Sequence, residues 1–154
     1  MSLKEGDKAP DFAMPASGGR QVSSKALKGR PFVLYFYPKA DTPGCTTEAC
    51  DFQAGLGRLG TLPLDVIGVS RDPIKAIDKF AAKYGLAFPL ASDESGAVSA
   101  AYGTWVEKSM YGKKYMGMER ATFLVDADGK IARIWRKVRV PGHAEAVLAA
   151  AKAL

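Results

Sequence analysis

Pro31-Phe32-Val33-Leu34-Tyr35-Phe36-Tyr37 runs directly into Pro38-Lys39-Ala40-Asp41-Thr42-Pro43-Gly44-Cys45-Thr46-Thr47-Glu48-Ala49-Cys50, a stretch that holds both cysteines of the chain. Its first seven residues are a continuous apolar and aromatic run, the pattern of a strand covered on both faces. Pro38 ends the strand, because proline cannot donate to a ladder. Lys39 to Gly44 reads as a loop, and a helical pattern follows from about Cys45 to Gly57.

Towards the N-terminus, Phe12–Met14 and Gln21–Ser23 flank Ala16-Ser17-Gly18-Gly19, a hairpin with a glycine turn. Ser24 is placed to cap a short helical turn that stops at Gly29. Towards the C-terminus, Leu64–Val69 is a second buried strand. Asp72-Pro73 reads as the cap and start of a helix with Ile74, Ile77, Phe80 and Ala81 on one face and Gly85 after its end. A short strand at Phe88–Leu90 precedes Asp93, a cap for a helix reaching Tyr102. Thr122–Asp126 and Lys130–Val138 flank Ala127-Asp128-Gly129, and Asp-Gly between apolar runs is a strong hairpin signal. Gly142–Leu154 reads as a closing amphipathic helix.

Strands alternating with helices, followed by an antiparallel hairpin and a last helix, predict an α/β fold: a central mixed sheet, helices on both faces and an N-terminal β-hairpin. The chain has no repeat, low-complexity tract or linker, so residues 1–154 are expected to form a single domain.

Composition narrows the function classes. Hydrophobic residues are 47% and charged residues 25% of the 154, close to the soluble average, which excludes fibrous and disordered classes. No apolar run approaches the roughly 18 residues of a membrane span, so no membrane partner is expected. Nor does the N-terminus, Met1-Ser2-Leu3-Lys4-Glu5-Gly6-Asp7, read as a secretory signal, so a cytoplasmic location is the expectation. The net charge of +6 raises the question of nucleic acid. The basic residues are scattered, however, and their densest group, Lys130, Arg133, Arg136, Lys137 and Arg139, reads as a solvated strand face. A nucleic-acid partner is set aside. Zinc needs about four ligands, and with two cysteines and one histidine, His143, no metal site is expected.

The chemistry therefore rests on the cysteines. Cys45 falls at the junction of a buried strand and a helix, where ligands collect in open α/β sheets. In the first turn of that helix, unpaired N–H groups and the helix dipole stabilise an anion and so favour a nucleophilic thiolate. A free cysteine is more commonly a buried small hydrophobe, but the Pro-Gly-Cys-Thr context at this junction favours a reactive one. Cys50 lies five residues on. On one regular helix the two Cα atoms would be roughly 8.6 Å apart, against about 4.4–6.8 Å for a disulfide. A static bridge is disfavoured, and a transient one requires local unwinding, which Gly55 and Gly57 would keep cheap. His143, after Pro141-Gly142, reads as a surface histidine, because no nucleophile context accompanies it. Tyr35, Phe36, Trp105 and Phe123 read as core.

Several stretches together resemble a known family. They are Gly6-Asp7-Lys8-Ala9-Pro10-Asp11-Phe12, Phe36 through Cys45, Tyr102-Gly103-Thr104-Trp105, Met110-Tyr111-Gly112-Lys113 and Arg120-Ala121-Thr122-Phe123-Leu124-Val125-Asp126. With Pro-x-x-x-Thr-x-x-Cys matched at Pro38, Thr42 and Cys45, the chain resembles the peroxiredoxins, in their bacterioferritin comigratory protein or PrxQ branch. The resemblance implies a thioredoxin-like fold of the peroxiredoxin type and a thiol peroxidase serving antioxidant defence. It implies that Cys45 attacks a hydroperoxide and becomes a sulfenic acid. Thr42 would hold the peroxide and thiolate, and Arg120 would stabilise thiolate and leaving oxygen. Gly44 would open backbone N–H groups to the anion, Pro38 would shield the sulfur, and Glu48 would orient an arginine. Cys50 would attack the sulfenic acid to give a Cys45–Cys50 disulfide, as in one PrxQ subtype, and thioredoxin would reduce it. No cofactor is implied, since the thiols carry the electrons. Members of this branch are often monomeric, so a monomer is implied. On the same residues a redox sensor or a disulfide oxidoreductase stays open as an alternative, although Cys-x₄-Cys is not the Cys-x-x-Cys of the latter.

Overall fold

A computed structural model describes residues 3–59 and 64–154. Met1 and Ser2, part of the N-terminal stretch read above, lie outside the described residues. The elements in chain order are β1 (Ala13–Ala16), β2 (Arg20–Ser23), β3 (Phe32–Phe36), α1 (Pro43–Leu59), β4 (Asp65–Ser70), α2 (Ile74–Tyr84), β5 (Leu90–Ser92), α3 (Ala97–Ala101), β6 (Trp105–Met110), β7 (Lys113–Met118), β8 (Ala121–Val125), β9 (Ile131–Trp135) and α4 (His143–Lys152). A seven-stranded mixed sheet has the order β2-β1-β5-β4-β3-β8-β9, and β6 with β7 forms a separate two-stranded sheet.

The run that opened the sequence reading is the middle of this sheet. β3 pairs in parallel with β4 and antiparallel with β8. Strand alternation divides its side chains between two cores. Phe32, Leu34 and Phe36 pack with Phe12, Ile67, Val69, Phe123 and Val125 on one face. Val33, Tyr35 and Tyr37 pack with Phe52, Ile77, Phe80, Leu124 and Val147 on the other. Helices cover both faces, as expected, but unequally. Residues of α1, α2 and α4 belong to the second core, whereas only the short α3, through Val98, reaches the first.

Five local expectations need correction. The hairpin β6–β7 is absent from the sequence reading, because its strands, WVEKSM and KKYMGM, are mostly exposed and carry no buried alternation to mark them. Ser24 to Gly29 makes successive turns rather than a helix, with the Ser24 hydroxyl accepting from Phe12 N at 3.1 Å. Asp72 does not cap α2, whose N-cap position is Pro73 without a side-chain bond. Its carboxylate accepts instead from Ala40 N at 2.7 Å and Ser70 Oγ at 2.8 Å. Gly55 is more than a weak point in α1: a Cβ there would collide with Leu148 of α4. The glycine is what lets these helices approach so closely. Asp93 does not hold the N-cap position of α3, which is Gly96, but its carboxylate still accepts from Val98 N at 3.2 Å and Ser99 N at 2.7 Å in the first turn.

Candidate active site

The β3–β8 register opposes Phe36 to Ala121, so the residue before Ala121 arrives at the carboxyl end of β3, beside the start of α1. That residue is Arg120. Alternation along β8 sends Arg120, Thr122 and Leu124 to the face that α1 covers, and Leu124 is part of that core. On α1, Cys45, Ala49 and Phe52 are buried in the same core, with Leu56 packed against it, at the spacing of one helical face. Sequence-distant elements thus converge on one sulfur.

Cys45 is 2% exposed. Arg120 Nη2 donates to its Sγ at 3.3 Å, and Arg120 Nη1 donates to Glu48 Oε1 at 2.7 Å. Glu48 lies one turn beyond Cys45 on α1, and its side chain is 1% exposed against 17% for Arg120. Burial raises the Glu48 carboxyl to about 7, although the Arg120 charge and hydrogen bond pull it down. Arg120 is desolvated too, yet Glu48 and Cys45 together raise it above the usual arginine range. It therefore stands as a fixed positive charge on the sulfur. Gly44 supplies the clearance: a Cβ there would sit 3.3 Å from Arg120 Nη2.

Thr42 and Pro38 stand differently. Thr42 Oγ1 donates to Lys39 O at 2.9 Å, which leaves its lone pairs free to accept. Pro38 is exposed at the mouth of the loop. That loop is tied down at two points. Ala40 N donates to Asp72, and Asp41, at a positive φ of 62°, takes Tyr84 Oη at 2.8 Å and Lys83 Nζ at 3.0 Å. Cys50 is also on α1, unbridged to Cys45 and half-buried. Five residues of helix turn it roughly 140° away from Cys45, off the buried face.

His143 is a correction. Far from being a surface residue, it is 6% exposed at the start of α4 and shares a hydrogen bond of 2.7 Å with Thr122 Oγ1. Its ring meets Phe52 and Trp135 edge-on, at centroid distances of 6.2 and 5.9 Å. Burial, helped by the Arg120 charge, lowers it to about 4, so it is neutral at physiological pH. Asp72, Thr122 and His143 are the residues near this site that sequence reasoning missed. Asp72-Pro73 reads as a helix cap, Thr122 lies within a family-like stretch without a role of its own, and His143 reads as a surface residue.

Elsewhere Tyr35, Phe36 and Phe123 are core, but Trp105 is half-buried under the Arg71 guanidinium, 4.3 Å from its ring centroid. The basic strand cluster is partly neutralised, with Arg136 on Glu119 at 2.9 Å and Arg133 on Glu5 at 3.9 Å. Among the described residues no group of His, Cys, Asp and Glu is arranged to hold a metal ion, and no helix is long and apolar enough to cross a membrane.

Residues 5–134 match the AhpC/TSA family. The peroxiredoxin Bcp of Xanthomonas campestris is 50% identical over 143 residues, covering 93% of this chain and 89% of its own. The peroxiredoxin Bcp of Escherichia coli K12 is 42% identical over 146 residues, covering 95% and 94%. Among solved structures, a cysteine-to-serine variant of Xylella fastidiosa PrxQ superposes with a TM-score of 0.92 at 38% identity, over 99% of this chain and 98% of its own. The Xanthomonas campestris bacterioferritin comigratory protein, whose structures concern alkyl peroxide reduction, superposes at 0.87 with 48% identity, over 92% and 90%. A cysteine at the head of a helix, an arginine on its sulfur and these relatives lead to one conclusion: the chain belongs to the AhpC/TSA family, as a peroxiredoxin of the Bcp/PrxQ branch, and is a thiol peroxidase.

Proposed function

We propose that Cys45 is the peroxidatic nucleophile and Cys50 the group that resolves it, with hydrogen peroxide and organic hydroperoxides as substrates. The Cys45 thiolate attacks the terminal oxygen of ROOH; the O–O bond breaks, RO⁻ leaves and takes a proton as ROH, and Cys45 becomes a sulfenic acid. The Cys50 thiolate then attacks Cys45 Sγ, hydroxide departs as water, and a disulfide forms. A dithiol partner of the thioredoxin type returns both thiols by exchange, in the cytoplasm, where such reductants work. No cofactor enters this cycle.

The observation that carries the reading is Arg120 Nη2 at 3.3 Å from Cys45 Sγ. A guanidinium fixed there stabilises the thiolate before attack and the charge on the departing oxygen during it. Gly44 keeps that approach open, Glu48 holds the arginine from the other side, Thr42 offers a hydroxyl at the loop, and Pro38 guards its mouth. The second step needs a rearrangement. With Cys45 and Cys50 both on α1, the helix must open at its N-terminal end before the sulfurs can meet. The C-terminal half is held by the packing of Gly55 under Leu148.

The test is thiol loss after one equivalent of hydrogen peroxide. Two thiols should be lost rapidly to an intramolecular disulfide. Cys45→Ser should abolish the loss, and Cys50→Ser should stop at a sulfenic acid. Loss no faster than that of free cysteine would overturn the assignment of Cys45.

A further inference from the structure

The β6–β7 hairpin stands apart from the main sheet. Among the described residues the exposed large hydrophobic side chains are Met110, Tyr111, Tyr115, Met116 and Leu154. All but Leu154 fall on this hairpin. Single exposed apolar residues are ordinary, but a cluster marks a contact surface. Tyr111 is 98% exposed at the turn, where it and Gly112 both have positive φ, 52° and 79°. Asparagine or glycine would occupy that turn position with less strain, yet an aromatic ring stands at the outermost point. The register sets Lys108 opposite Tyr115 and Met110 opposite Lys113 on one face, and Glu107 opposite Met116 and Ser109 opposite Lys114 on the other. Lysines therefore border the apolar tip on both faces, three against the single acid Glu107, in a chain of net charge +6. Glu107 lies in an exposed pair with Lys114 at 3.7 Å, which leaves Lys108 and Lys113 in excess.

We propose that this hairpin is a peripheral membrane contact, which seats Met110 and Tyr111 in the interface of a bilayer with anionic headgroups and sets Lys108, Lys113 and Lys114 among the phosphates. Tyrosine suits the headgroup level. Lysine lays its stem along apolar surface with its charge in the polar layer, and an anionic leaflet attracts each basic residue held near it. A stable protein interface buries about 800 Å² on each partner, whereas this ribbon gathers its apolar residues around a narrow turn. Strand pairing between copies is opposed by lysines on both β6 and β7. The contact is with a surface and spans nothing, so it amends the expectation of no membrane partner without a transmembrane segment. It is independent of the roles proposed for Cys45 and Cys50.

Reduced full-length protein sedimented with vesicles of phosphatidylcholine, or of equal parts phosphatidylcholine and phosphatidylglycerol, tests this. Binding should occur on the anionic vesicles and weaken with salt. The partition coefficient should fall on the order of tenfold in Met110→Ser/Tyr111→Asn and again in Lys113→Glu/Lys114→Glu. Asparagine is chosen because it accepts the left-handed backbone, and unchanged circular dichroism and thermal midpoint show that both variants are folded. Absence of wild-type binding to anionic vesicles would overturn the proposal. So would binding that neither variant alters, which would assign it to basic residues elsewhere. A dimer on size exclusion that the tip variant dissolves, without vesicle binding, would replace the membrane by a second copy of the chain.

Discussion

Arg120 donates to Glu48 Oε1 at 2.7 Å, while the other carboxylate oxygen, Oε2, is buried with no hydrogen-bond partner among the described residues. Burial of this carboxylate outweighs the charge and hydrogen bond of Arg120, and Glu48 is raised to about 7.

A stability prediction follows from that shift. Between about pH 4.5, where an unfolded glutamate releases its proton, and about 7, the native state binds more protons than the unfolded one. Stability contributed at this position must fall as pH rises through the window, by about 3 kcal/mol at most. Denaturant midpoints of wild type and Glu48→Gln, measured from pH 4.5 to 7.5, should show the variant gaining on wild type as pH rises. A gap constant with pH would refute the buried, raised carboxyl.

His143 should do the reverse. Its folded value of about 4 lies below the ordinary 6.5, so the native state binds fewer protons between them. Its contribution is present above pH 6.5 and lost as pH falls towards 4, again by about 3 kcal/mol at most. In His143→Gln the midpoint should drop least, relative to wild type, at the acid end. The opposing slopes of Glu48 and His143 flatten the wild-type profile between about pH 4.5 and 6.5, and either substitution should unmask the other.

Replacing Arg120 by lysine keeps the charge but loses the planar fork that reaches Glu48 and Cys45 together. Stopped-flow measurement of Cys45 oxidation should slow by roughly 10²–10³-fold, the usual cost of one preorganised donor at a developing anion. A change of less than about threefold would show that the arginine is structural.

Gly44→Ala separates activity from stability. Gly44 is helical, without positive φ, so alanine should hold or raise the thermal midpoint. The new methyl meets Arg120 Nη2 at 3.3 Å and must displace it by tenths of an ångström. The oxidation rate should fall roughly three- to tenfold, since catalysis is sensitive to displacement on this scale.

Gly55→Ala should destabilise by about 1–3 kcal/mol through overpacking, against alanine's favourable helix propensity, because the methyl collides with Leu148. Combining it with Leu148→Ala should give a double mutant more stable than the sum of the single effects predicts. Strict additivity in urea titrations would mean the helices do not meet here.

Much of the frame was legible from residue order, because the signals are local. PFVLYFY is apolar throughout, so it must lie in the middle of a covered sheet, and Pro38 and Pro43-Gly44 bracket a loop that delivers Cys45 to the head of a helix. The DADG turn and the dipeptide Gly18-Gly19 mark hairpins by turn chemistry alone. What the tertiary structure decided depends on register and on packing between distant segments. Arg120 reaches Cys45 because β8 pairs with β3 in the register that opposes Ala121 to Phe36. His143 is buried because α4 lies along α1 and presents its first turn to Thr122. Gly55 is a contact point because Leu148, some ninety residues later, crosses it. Each of these is a meeting of side chains that no window of sequence contains, whereas a cysteine at a strand–helix junction can be read from its neighbours, because the backbone there sets both its geometry and its electrostatics.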